Sequence, residues 1–414
     1  MGYLRSDIAP HCFTRKSRRE SIVPIGPKSL SSRHYGLDWL RIGAFGVLIL
    51  YHIAMAFSPW HWVVTTGHAY TALIAPMAAV TPWRLGLLFA VSGYASATLV
   101  ARAATPHAFA AERSRRLLVP LAFGMLAIVP LEMWVRVLEG GYPHGYLRFW
   151  LLDGWRVGTF YGVEFPSWEH LWFLVYLWTY SMLLAAFVAT AGAARRMDRL
   201  AAWLSRGNRL LWAPIALMAT IRLAALFVVP EGQGLLHDIA GHSQYLPLFA
   251  LGYLVARRPA LWRALHRHAA GAILLALVAG AVVVSVELQY PGDVVPPHLA
   301  MAANRAARSV MAWAMVVALF HLADRAFNSD HRWRRPLSRA VFPAYIVHHP
   351  VIVLVTWFTL PLALDPWREA ALLLAATLLA CAAAYGAARA WPGLGMLLGV
   401  PAPVAKGGRR PAIC

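Results

Sequence analysis

Runs of about twenty apolar residues recur between residues 37 and 391, and no other feature of the sequence restricts the fold so severely. A helical run of that length matches the ~30 Å hydrocarbon layer of a bilayer. Inside lipid every backbone N–H and C=O must find a partner within the protein, which favours helices. The expected class is therefore all-α, a polytopic integral membrane protein of about ten transmembrane helices. The expected spans are 37–57, 82–101, 117–138, 168–190, 208–229, 235–256, 269–288, 304–324, 339–360 and 368–391. Composition agrees: 59% of the 414 residues are hydrophobic and only 14% are charged, against about 25% charged in soluble chains.

The net charge of +20 would suit a nucleic-acid binder, but its distribution argues otherwise. Basic residues fill the first 36 residues, the loops after spans two, four, six and eight, and the tail. The intervening loops, 58–81, 139–167, 230–234, 289–303 and 361–367, are poor in them. Alternation of this kind is a topology signal; it predicts an even number of spans with both termini cytoplasmic, in the inner (plasma) membrane. Residues 1–36 read as a basic cytoplasmic arm, 37–391 as one membrane domain, and 392–414 as a short cytoplasmic tail, rich in Pro and Gly and expected to be disordered. Cys12, Cys381 and Cys414 are scattered and suggest neither a disulfide framework nor a metal site. Residues 69–80 are apolar but too short to span, and read as an interfacial or re-entrant piece. Loop 139–167, with Tyr142, Tyr146, Trp150, Trp155 and Tyr161, suits an ordered cap or a carbohydrate-facing surface, or equally an interfacial aromatic belt.

Ionisable residues inside an apolar span are costly and so are candidates for function. The first span carries Asp38, Arg41 and His52. Arg41 and His52 are separated by three helical turns, on one face and roughly 16 Å apart along the axis. Asp38 is an i, i+3 neighbour of Arg41 and is expected to hold it, a structural task. Arg113 and Arg116 repeat the i, i+3 spacing and could clamp a phosphate with two planar guanidiniums, although flanking charge at a membrane surface has the same pattern. Glu169 and His170 open span four. Arg84, Arg222, His237, Asp238, His242, Arg305 and Arg308 sit toward the same side and read individually as interfacial polar groups. Span nine holds Pro343, Tyr345, His348, His349 and Pro350; two prolines in one span free backbone carbonyls that need new partners, implying a bent helix beside a polar cavity or a packing kink with a buried histidine. There is no glycine-rich phosphate loop, no H-E-x-x-H and no G-x-S-x-G.

These pieces together resemble membrane-bound acyltransferase family 3, bacterial O-acyltransferases. The matching stretches are LDWLR with Arg41, then ten residues and His52; FAVSGY at 89–94; RSRR at 113–116; HLWFL at 170–174; and PAYIVHHP at 343–350. Within the family the opening stretches look most like the glucans biosynthesis protein C branch. The resemblance implies transfer of an acyl group, acetyl or succinyl foremost, from cytoplasmic acyl-CoA to a hydroxyl of an extracytoplasmic glycan or similar acceptor. It implies that His52 is the catalytic histidine with Arg41 its motif partner, and that Arg113 and Arg116 meet the donor. His170, Glu169, His348 and Tyr345 are then candidates for binding the acceptor or orienting the base. Acyl-CoA is a co-substrate, no bound cofactor or metal is implied, and the partners are acyl-CoA, the hydroxyl acceptor and the bilayer, with no nucleic acid and no stated oligomeric state. The rival reading is a transporter or flippase of a lipid or sugar precursor, which intramembrane charge and kinked helices also suit. Against it, Arg41 and His52 have no counterpart pair later in the chain.

Overall fold

The computed structural model describes residues 34–225 and 234–400. In chain order the principal helices are α1 (Tyr35–Ala56), α2 (Thr71–Arg102), α3 (Pro106–Glu139), α4 (Glu169–Ala189), α5 (Ala193–Leu204), α6 (Arg209–Ala224), α7 (Ile239–Arg257), α8 (Pro259–Gln289), α9 (His298–Ala326), α10 (Arg334–Leu362) and α11 (Pro366–Ala390). The protein is an all-α polytopic membrane protein, and all of these except α5, α6 and α7 are long and apolar enough to cross a bilayer. The spans expected at 208–229 and 235–256 are α6 and α7. Helix α6 has only 16 residues, and α7 is interrupted by His242, Ser243 and Gln244. Both nevertheless pack into the bundle, α6 against α9 and α7 against α2.

Three boundaries differ from expectation. Residues 71–80 are not a separate interfacial piece but the first turns of α2, which runs unbroken to Arg102. Pro82 does not end it, because the preceding turns are braced from the side chains: Thr81 Oγ1 donates to the Met77 carbonyl at 2.7 Å and Trp83 Nε1 to that of Ala79 at 2.8 Å. At 1.5 Å per residue α2 is longer than a bilayer is thick and must project from it. Residues 392–400 are ordered, with a short helix at Pro392–Leu397 and Leu398 buried, so that part of the tail is folded. The arm to residue 33, with Cys12, and the end of the tail from 401, with Cys414, lie outside the described residues.

Two contacts set the geometry around the site. Helices α2 and α7 touch backbone to backbone. A Cβ on Gly93 would lie 1.9 Å from the Phe249 carbonyl oxygen, and one on Gly252 would lie 1.8 Å from that of Ala90. Small residues at such a crossing let membrane helices approach closely. Helices α1 and α10 run parallel and are pinned at three levels: Asp38 to Arg334, Arg41 to Ser338, and His52 to His348. Arg334 is wholly buried, gripped by both Asp38 and Asp330 and stacked over the Tyr35 ring. Asp38 is thus tied to Arg334, and Arg41 donates to the Ser338 carbonyl at 2.9 Å and to its hydroxyl.

The loop between α3 and α4 is an ordered cap. Strands β1 (Gly158–Phe160) and β2 (Val163–Phe165) form an antiparallel hairpin turned by Tyr161 and Gly162, both at positive φ, as two-residue hairpin turns require. Tyr142 packs edge-on against Phe149, Phe160 and Tyr161. Its hydroxyl donates to Asp153 at 2.7 Å, and Arg156 bonds the same carboxylate. This end of the bundle is the capped end; the opposite one, with the arginine-bearing turns around α5, α7 and α10, is the basic end.

Candidate active site

Near the capped end, α1, α3, α4 and α10 bring four imidazoles and one carboxylate together. The cause begins in α10. Pro350 has no N–H, so the carbonyl four residues earlier, on Ile346, loses its helical donor. His170, at the start of α4, fills the gap: its Nε2 lies 3.0 Å from the Ile346 oxygen. Tyr345 braces the junction from the other side by donating its hydroxyl to the His170 carbonyl. Glu132 projects from α3 into the same space and is fully buried. A five-residue π-turn, Gly124–Ile128, precedes it and shifts the facing of the last turns of α3, as such turns often do near sites. His349 Nδ1 donates to Glu132 Oε2 at 2.9 Å. His170 Nδ1 approaches Oε1 equally closely, but without the alignment of a hydrogen bond.

Hydrogen-bond logic fixes the state of the remaining pair. A carbonyl can only accept, so the nitrogen of His348 that faces one must carry its proton. His348 Nδ1 lies 2.8 Å from the Tyr345 carbonyl and therefore donates, leaving Nε2 with a lone pair. That Nε2 is 3.1 Å from His52 Nδ1, so His52 must donate there. The His52 proton is thus held on Nδ1, and its Nε2 is the basic nitrogen. His348 is completely buried, whereas His52 is half-buried, beside Trp62 and in edge-on contact with His349. The ring of His52 faces α10, not lipid.

Of the sequence candidates, His52, His170, His348 and Tyr345 meet here. Glu169 adjoins the cluster but pairs with Arg136 at 3.2 Å and with Ser167 at 2.7 Å. Arg41 stands toward the basic end of α1. The α1 face between Arg41 and His52 includes Ala44, Phe45 and Leu48, all buried, so that stretch is hydrocarbon and not a polar passage. The Arg113–Arg116 pair is split: Arg113 is buried, its Nε 3.2 Å from Ser181 Oγ, while Arg116 is exposed. Glu132 was not singled out from sequence, although a lone carboxylate in the apolar span 117–138 is itself a signal. Glu132, His170 and His349 also offer ligand atoms within 4.8 Å of one another, a set from three helices that chain spacing does not reveal. A metal ion there would displace the His349–Glu132 hydrogen bond.

A cluster of four imidazoles and a buried carboxylate, set among apolar helices long enough to cross a bilayer, defines a polytopic membrane protein with a polar site inside its bundle. A family model described as "Acyltransferase domain" matches residues 34–386. The chain belongs to this family, acyltransferase family 3, and is a membrane acyltransferase. No curated protein and no solved structure gave a match.

Proposed function

We infer that the protein transfers an acyl group, acetyl or succinyl, from cytoplasmic acyl-CoA to a hydroxyl of an extracytoplasmic glycan or similar acceptor, in the inner membrane with both termini cytoplasmic. The observation that carries this is the chain from the Tyr345 carbonyl through His348 to His52, which leaves His52 Nε2 free to accept a proton. His52 Nε2 takes the acceptor hydroxyl proton as that oxygen attacks the thioester carbonyl. The C–O bond forms, the C–S bond breaks, and the imidazolium returns the proton to the departing thiolate. Arg113 and Arg116, with Arg41, bind the donor's phosphates at the basic end, where guanidiniums match phosphate oxygens two at a time. His170 and Tyr345 hold α4 against α10 and so set the wall of the acceptor site.

The test is acyl-CoA consumption by purified protein in nanodiscs, with surface glycans of a deletion strain analysed by mass in parallel. Loss of one acyl ester from the strain and turnover of the matching acyl-CoA are expected. A His52→Ala variant that turns over at the wild-type rate would remove His52 from the reaction, and a wild-type protein that neither binds nor consumes any acyl-CoA would remove the enzyme.

A further inference from the structure

Arg84 has no role in the reaction as described, and its setting is unusual. It lies in α2, is only 8% exposed, and has Nε and Nη1 buried with no hydrogen-bond partner. Among the described residues no carboxylate pairs with it. Its guanidinium lies flat over Tyr51, the neighbour of His52, 3.4 Å from the ring centroid. The Tyr51 ring lies 6.1 Å from that of His52, and α9, which carries a second arginine, Arg308, packs against α2. A guanidinium buried without a counter-ion is costly. No carboxylate among the described residues balances Arg84, so an anion from outside can.

A way in exists. Arg308 lines a cleft of about 210 Å³ at the capped end, together with Glu287, Tyr290, Asn304 and Arg305. The cleft borders the loop that follows α1, since a Cβ on Gly292 would sit 3.0 Å from the Pro59 carbonyl oxygen. Its own carboxylate, Glu287, is engaged by Asn304 at 3.0 Å and stands 3.7 Å from Arg308. Arg308 thus opens to the capped side from a helix that packs against the one carrying Arg84, and Arg84 lies over Tyr51 next to the base.

We propose that Arg84, backed by Arg308, is an anion-binding subsite beside His52 that takes a carboxylate carried by one of the two substrates. The proposal rests on the acyltransfer reading for its location. The carboxylate has two sources: the far end of a dicarboxylic acyl group, or an acidic sugar in the acceptor. In either case the subsite positions the substrate and rejects neutral analogues by leaving the guanidinium unpaired.

Full-length protein in nanodiscs, as wild type, Arg84→Gln and Arg84→Lys, is assayed with succinyl-CoA and acetyl-CoA, and separately with glucuronate and glucose as competitors. If the donor carries the charge, wild type prefers succinyl-CoA, and Arg84→Gln loses about 10- to 100-fold on succinyl-CoA alone, the loss expected for a charge-assisted hydrogen bond. If the acceptor carries it, glucuronate competes, glucose does not, and the variant abolishes the difference. Arg84→Lys restores part of either effect. A variant that slows both donors equally and leaves competition unchanged overturns the subsite and makes Arg84 a general stabiliser of the reaction. Thermal unfolding with succinate or glucuronate against chloride needs no turnover: a midpoint raised in wild type and not in Arg84→Gln supports the subsite even if no acyl-CoA is consumed. No shift with either acid in wild type overturns it. Without added anion Arg84→Gln should melt no lower than wild type, whereas a structural arginine would lower it.

Discussion

At the scale of single residues, the site depends on where protons are held. His52→Ala should lose about 10²- to 10⁴-fold in acyl transfer, the usual weight of general base catalysis, with the fold retained. His348 acts through His52, by accepting from its Nδ1. Removing it as His348→Ala lets His52 adopt either tautomer, and should lower kcat with little change in KM. His348→Gln, whose amide oxygen can still accept, should recover part of the rate; a structural role alone would show no such rescue. Glu132→Ala strips His349 of its buried acceptor and should destabilise the protein by about 3–5 kcal/mol, read as a lowered unfolding midpoint, with Glu132→Gln costing less. Histidines 52, 170 and 348 could be picked out because a charged group in an apolar run stands out. That His170 serves the carbonyl freed by Pro350 was not legible, because the two are 180 positions apart in sequence and meet only when α4 crosses α10.

At the scale of elements, the motif FAVSGY takes on a packing meaning. Gly93 faces the backbone of α7 and Gly252 that of α2. Gly93→Ala or Gly252→Ala must push the helices apart, and should cost at least the ~1–3 kcal/mol of an overpacked core; lower yield and a lower unfolding midpoint would register it. Helix existence is legible in hydropathy, but the start of α2 is not, since Pro82 suggests a break where the side-chain bonds of Thr81 and Trp83 brace the turn before it. The cap has its own pH dependence. The Tyr142 hydroxyl, then Arg156, holds the Asp153 carboxyl below its usual range. That contribution is complete above the ordinary aspartate pKa near 4 and disappears only as pH falls through the lowered native value. Tyr142 is pushed up to about 12, by burial and then by Asp153, so its contribution holds below pH ~10 and is lost as pH rises through about 12. Hydrogen exchange of 139–167 should therefore stay slow at pH 5, and Asp153→Asn should speed it at neutral pH.

At the scale of the molecule, the charge alternation makes a topological prediction. Cysteines introduced at Gly145, in the cap, and at Ser205, beside α5, should react with an impermeant thiol reagent from opposite faces: Gly145→Cys in intact cells, Ser205→Cys only after lysis. Labelling of both from outside would contradict the cytoplasmic termini. The parallel pairing of α1 with α10 also carries a mechanical meaning. Struts tied at three levels, by Asp38–Arg334, Arg41–Ser338 and His52–His348, resist sliding past each other over that stretch. On the acyltransfer reading the imidazole is then a fixed station along this part of the bundle, and what must travel across the hydrophobic layer is the reactant, on a tether long enough to reach.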